Sequence, residues 1–222
     1  MIIAIEGIDG SGKGTQSRLL ADYLSRTGLE PEFIQFPRYS HTKFGAEVGR
    51  YLNGEYGTLD QVPPKLAAML YALDRFETLP LIKSAVSNGR IVICDRYVGS
   101  NLAHQSAKLR GGRRQELIEW IKDLEYHVLG IPQPDLVFFL DMSTDNAKSL
   151  IGKKDVRTYT DKVEDLHEQS SDHLTNALQV FRELSARFGW VHIQCVQETG
   201  QIKSPGMIHE EILSIIRTKK II

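Results

Sequence analysis

Ile2-Ile3-Ala4-Ile5-Glu6-Gly7-Ile8-Asp9-Gly10-Ser11-Gly12-Lys13-Gly14-Thr15 is the stretch whose reading decides the fold. An apolar run gives way to a glycine-rich turn, and an amphipathic helix follows. Gly7, Gly10 and Gly12 let the backbone turn tightly and aim its N–H groups inward. With the helix N-terminus, those donors form an anion site suited to the phosphates of a nucleotide. Lys13 is placed to reach the outer phosphates. The usual loop carries Ser or Thr directly after the lysine as a magnesium ligand. Here Gly14 follows and Thr15 comes one later, so magnesium is expected to be held through water. The nucleotide-binding set is therefore Gly7, Asp9, Gly10, Ser11, Gly12, Lys13, Gly14 and Thr15.

Outward from this loop, five short apolar runs read as parallel strands: Ile2–Glu6, Glu32–Phe36, Ile91–Asp95, Leu136–Asp141 and Val191–Cys195. Helical patterns separate them, the signature of a doubly wound α/β sheet. Leu19, Leu20, Tyr23 and Leu24 stripe the first helix, and Gly28 stands where a C-cap belongs. A helix is expected over 66–88, with Met69, Leu70, Leu73 and Phe76 on one face and a kink or break at Pro80. Others are expected over 114–129, 165–187 and 207–217. The 222 residues suffice for a single domain, 1–222. A polar, charged insertion at about 148–164 reads as a basic lid over nucleotide phosphates.

The formal net charge of −1 supplies no global field for a nucleic-acid polymer. Cys94 and Cys195 lie in apolar runs and read as buried thiols in a reducing compartment. No run approaches membrane-spanning length, and a cytoplasmic location is expected.

Two further constellations carry chemistry. Ile91-Val92-Ile93-Cys94-Asp95-Arg96-Tyr97 is a strand ending in Asp-Arg, where ligands of open α/β sheets sit. Asp95 is placed to orient magnesium or its water, and Arg96 to clamp a phosphate in a fork. Phe36-Pro37-Arg38-Tyr39 ends the second strand, and Tyr71 with Arg75 lies on a helix. Together they offer aromatic faces for a base and guanidiniums for a doubly charged phosphate.

At these residues the chain resembles the thymidylate kinases, nucleoside monophosphate kinases of the phosphate-loop class. The resemblance rests on Glu6-Gly7-Ile8-Asp9-Gly10-Ser11-Gly12-Lys13, Phe36-Pro37-Arg38, Asp95-Arg96-Tyr97 and Ser100-Asn101. Pro134-Asp135-Leu136 to Leu140-Asp141, and Asp165-Leu166-His167-Glu168, add to it. It implies a five-stranded parallel sheet flanked by helices, a homodimer, and transfer of the γ-phosphoryl of ATP to dTMP with Mg2+, giving dTDP and ADP on the way to dTTP. It implies that Asp9 holds the sugar 3′-hydroxyl, Tyr71 and Phe36 enclose thymine, Arg75 and Asn101 read the base, and Arg38, Arg96 and Tyr39 serve the acceptor phosphate. Asp165 and Glu168 would approach the donor or magnesium beside Asp95. His104 stands where the family often has Tyr beside the sugar 2′ position. Gly10 stands where some members carry a catalytic arginine, which leaves Arg157 as the lid arginine and adds it to Lys13, Asp95 and Arg96 as catalytic. A Phe36-Pro37 cis bond is also expected.

Rival readings are another nucleoside monophosphate kinase, a deoxynucleoside kinase, a nucleotide-dependent switch, and a phosphate-loop protein without turnover. Phe36-Pro37-Arg38 suits a charged acceptor better than a hydroxyl. A guanine-reading Asn-Lys-x-Asp run is absent from the sequence. Intact Lys13, Asp95 and Arg96 favour turnover.

Overall fold

A computed structural model describes residues 1–151, 171–219 and 221. The elements are β1 (Ile2–Glu6), α1 (Lys13–Arg26), β2 (Glu32–Gln35), α2 (Lys43–Leu52), α3 (Pro64–Ser87), β3 (Val92–Asp95) and α4 (Val98–Ser106). They continue as α5 (Gly111–Lys122), a π-helical turn (Asp123–Val128), β4 (Leu136–Asp141), α6 (Thr144–Ile151), α7 (Ser171–Phe188), β5 (Val191–Gln194) and α8 (Pro205–Thr218). The five strands form one parallel sheet in the order β2-β3-β1-β4-β5. The order follows burial. β1, β3 and β4 are buried along their whole length and take the centre, whereas β2 and β5 are half-exposed and take the edges. The five expected strands are all present, three of them one residue shorter than the apolar runs.

This order places the site. The chain leaves β1 for one side of the sheet, then crosses to β4 on the other, so the end of β1 is the switch point where ligands bind. Register levels three strand ends there: Ile5 pairs with Asp95, and Gln35 pairs with Asp95. Gly7, Phe36 and Arg96 therefore leave the sheet along one edge. The Phe36-Pro37 bond is cis.

α1 ends as expected. Gly28 takes a φ of +85°, and Gly28 N–H and Leu29 N–H return to the carbonyls of Ser25 and Leu24. Of the kink or break expected at Pro80, the break does not occur: α3 runs 24 residues through that position. Pro80 and Phe76 both lie on the exposed side of the helix. The apolar face of α3 is also not the one that meets the core. Ala67, Ala68, Ala72, Leu79 and Ile82 are buried, while Leu66, Met69 and Phe76 point outward at 55%, 39% and 46% exposure. Small residues bring α3 close to its neighbours, and the large ones are left outside. The helix expected over 114–129 divides into α5 and the π-helical turn, in which Leu129 N–H bonds the Leu124 carbonyl five residues back. Of the segment 148–164, Lys148–Ile151 form the last turn of α6, and the remainder lies outside the described residues.

The main core packs around the sheet, with both cysteines buried and unpaired. A smaller cluster of Val48, Tyr51, Leu52, Val62 and Ala67 underlies the cleft beside β2. Among the described residues, no helix is long and apolar enough to cross a membrane.

Candidate active site

The phosphate loop has the geometry its glycines foretell. Gly7, Gly10 and Gly12 have φ of +149°, +81° and +89°. Gly12 is the N-cap of α1, and no side chain caps that end, so its N–H groups face the loop. Lys13 is buried, and its Nζ donates to the Ile8 carbonyl at 2.6 Å, folded back over the loop. Two glycines are also fixed by neighbours. A Cβ on Gly10 would meet the Ala147 carbonyl oxygen at 2.2 Å, so α6 closes against the loop there. A Cβ on Gly14 would stand 3.0 Å from Asp95 Oδ2. The buried Asp95 carboxylate thus lies beside the position where the usual loop has its hydroxyl. Thr15, the nearest hydroxyl in sequence, is exposed.

Beside the loop, Asp9, Phe36, Tyr39, Tyr71, Arg75, Arg96, Asn101 and His104 line one cleft. Eight residues predicted from four separate stretches are thereby brought together. Arg96 joins the cleft to the loop. Its Nη2 pairs with Asp9; its Nη1 donates to Ser100 Oγ at 3.1 Å, faces His104 Nε2 at 3.3 Å and reaches the Gly7 carbonyl at 3.5 Å. An arginine only donates, so His104 Nε2 is the acceptor and its proton sits on Nδ1. Burial and the Arg96 charge hold the His104 pKa well below the ordinary histidine value, which keeps this ring neutral. Arg96 has a φ of +67°, a strained conformation for a side-chain-bearing residue. Burial opposes its charge, but Asp9, Asp95 and Glu6 outweigh it and raise its pKa above the usual value. Glu6 anchors the following turn: its buried carboxylate accepts from Tyr97 N–H at 2.9 Å, Ser100 N–H at 3.1 Å and Ser100 Oγ at 2.5 Å. Burial pushes the Glu6 pKa up.

Arg38 stands apart. It is tied through its backbone N–H to Asp74 at 3.0 Å, and its Nη1 reaches Thr78 Oγ1 at 3.5 Å. Asp74 also accepts from Thr42 Oγ1 at 2.5 Å, and Glu77 accepts from the N–H groups of Lys43 and Phe44 at 2.9 Å each. One turn of α3 thus clamps the whole 38–44 loop. Arg157, Asp165 and Glu168 lie outside the described residues.

Several cleft residues escaped the sequence reading. Gln105 and Leu52 line it too. Gln105 lies one helical turn beyond Asn101, and that spacing was the available signal. Among the described residues, neither side-chain polar atom of the buried Gln105 has a partner, nor has Asn101 Oδ1. Glu125 was missed as well. It falls on the buried stripe of Leu117, Ile118 and Ile121, and an acid at a core register was its only mark.

The loop has the geometry to take a phosphoryl donor, the cleft has room for an acceptor, and Arg96 bonds both regions. That division of labour defines a nucleoside monophosphate kinase of the phosphate-loop class. A family model described as thymidylate kinase matches residues 5–203. A Thermococcus onnurineus protein described as a probable thymidylate kinase is 34% identical over 189 residues, covering 83% of this chain and 87% of that one. The Mycobacterium tuberculosis (H37Rv) thymidylate kinase is 31% identical over 190 residues, covering 86% and 87%. The solved Candida albicans thymidylate kinase shares the fold with a TM-score of 0.75 at 23% identity, over 99% of this chain and 92% of that one. The chain belongs to the thymidylate kinase family, and it transfers the γ-phosphoryl of ATP to dTMP, giving dTDP and ADP.

Proposed function

We propose that catalysis rests on positioning and charge neutralisation, divided between loop and cleft. The Arg96 fork, bonded to Asp9 of the loop and to Ser100 and His104 of the cleft, is the observation that carries this reading. Gly7 to Thr15 hold the ATP phosphates, and Lys13 swings from the Ile8 carbonyl onto the outer ones. Asp9 turns to the sugar 3′-hydroxyl, Tyr71 and Phe36 enclose the base, and Arg75 and Asn101 meet its edge. Arg96 grips the acceptor phosphate, with Tyr39 beside it in the cleft; Arg38, bonded to Asp74 and Thr78, would have to leave Thr78 to reach it. A phosphate monoester's second pKa is about 6, so the acceptor oxygen is already deprotonated near neutrality and needs no base.

Mg2+ fits Asp95. A buried carboxylate beside the loop, in the space Gly14 leaves, is the single hard oxygen ligand such an ion takes when water and phosphates complete its shell. When bound, the ion neutralises charge on the phosphates.

The outward face of Leu66, Met69 and Phe76 on α3 fits a second copy of the chain in a two-fold homodimer. Met69→Glu with Phe76→Glu is expected to give a monomer in analytical ultracentrifugation. The buried free thiols fit a reducing cytoplasm.

The test of the Arg96 role is Arg96→Lys, which keeps charge and loses the planar fork. kcat is expected to fall about 10²–10³-fold, the range for losing one transition-state donor, with KM for ATP little changed. A folded Arg96→Lys enzyme with parental kcat overturns it.

A further inference from the structure

Two residues assigned above to the base edge share one buried partner that does not itself line the cleft. Glu125, in the π-helical turn, is 0% exposed and grips Arg75, itself 2% exposed, with both oxygens. Arg75 Nε donates to Glu125 Oε2 at 2.5 Å, and Arg75 Nη2 to Oε1 at 2.5 Å. Asn101 Nδ2 donates to the same Oε1 at 2.7 Å and to the Ala68 carbonyl at 3.0 Å. Both partners of that nitrogen only accept, so the amide has one satisfactory orientation. Its Oδ1 is the atom left for the cleft, and among the described residues it has no partner. The fork of Arg75 is taken at Nε and Nη2, Arg75 lines the cleft, and Nη1 lies outside both of those bonds.

We infer that Glu125 is a positioning residue that sets base specificity, by locking Arg75 as a donor and Asn101 Oδ1 as an acceptor towards the base edge. A 4-keto pyrimidine answers this pair with a carbonyl at C4 and an N–H at N3. A 4-amino pyrimidine presents the reverse, an amino donor and a bare N3 lone pair. Turning the Asn101 amide would repair the second contact only by setting Oδ1 against Glu125 Oε1 and the Ala68 carbonyl, two acceptors. The charge on Glu125 opposes that rotation, so selection between bases is enforced from behind the residues that touch them. The π-helical turn, with its wider backbone spacing, is the local feature that carries this acid at an otherwise apolar register.

The inference rests on Arg75 and Asn101 meeting the base edge, and the experiment separates the two ideas. Dissociation constants for dTMP, dUMP and dCMP are measured by calorimetry, with kcat and KM for dTMP and ATP, in the parent, Glu125→Gln and Asn101→Ala. dTMP and dUMP share one edge, so Glu125→Gln is expected to weaken both together by about tenfold, with dCMP affinity unchanged or improved. KM for dTMP should rise with kcat and KM for ATP little altered. A merely structural role would weaken all three nucleotides and ATP alike, and that result overturns the inference, as does an unchanged dTMP-to-dCMP ratio. If Glu125→Gln does not fold, Glu125→Asp keeps the charge and withdraws the oxygens, and the same ratio decides in the same way. If Asn101→Ala leaves the ratio at the parental value, the base-edge assignment itself is wrong. If Asn101→Ala changes it and the Glu125 variants do not, only the role of Glu125 falls.

Discussion

Gly10 and Gly12 occupy the same loop with the same handedness, yet the structure distinguishes them. Both have a φ near +85°, where a side chain costs about 1–2 kcal/mol. A Cβ at Gly12 meets nothing within 4 Å, whereas one at Gly10 meets the Ala147 carbonyl oxygen at 2.2 Å. Ala147 is fully buried, so α6 must move by more than about 1 Å before the contact reaches the ordinary van der Waals range, which starts at 3.4 Å. Such overpacking costs about 1–3 kcal/mol. Gly12→Ala is therefore expected to lose the dihedral cost alone, and Gly10→Ala that cost plus the contact. In a chain of this size each kcal/mol moves Tm by about 2–4 °C, so Gly10→Ala should melt roughly 2–12 °C below Gly12→Ala. Thermal unfolding followed by circular dichroism reads the difference. Equal losses in the two variants would refute the reasoning about α6.

Asp9→Ala should raise KM for dTMP well above its effect on ATP affinity, because Asp9 faces the cleft side of the loop and pairs with Arg96; an unchanged dTMP constant rejects the role. His104→Tyr should reduce phosphorylation of ribo-TMP relative to dTMP, since the smaller ring leaves more space among Arg96, His173 and Phe181; no ribonucleotide activity in the parent sinks it. Lys108 donates to Tyr51 at 2.7 Å, and burial lowers its pKa to about 8 from an unfolded value of 10.5. Its folded pKa lies below its unfolded one, so its cost is full below pH 8 and fades as pH rises towards 10.5. Relative to Lys108→Met, the parent should gain up to about 3 kcal/mol between pH 7.5 and 10.5 in urea titrations, and a pH-independent gap contradicts this. Arg157→Ala should lower kcat strongly with dTMP affinity unchanged, and parental kcat would remove that arginine from the chemistry.

By itself the sequence determined the sheet and the loop, because both are written in local terms. Strand runs alternate with helical periods, and the glycines of residues 7–12 announce positive φ. Even separate pieces of the cleft, Phe36, Tyr71, Arg75 and Arg96, were legible as residue types in pattern, whereas Asn101 entered only through the family resemblance. Three features were decided only by tertiary structure. The apolar face of α3 reads as core in isolation, but small alanines took the core and left Leu66, Met69 and Phe76 outside, since close helix packing favours the smaller side. Gly10 reads as a flexible turn residue until α6, some 137 positions away, is seen to press on it. Glu125 lies 50 residues from Arg75 and 24 from Asn101, and its value as a partner arises only when three helices converge. A buried acid cannot announce which cation will neutralise it; the fold alone brings the two within 2.5 Å.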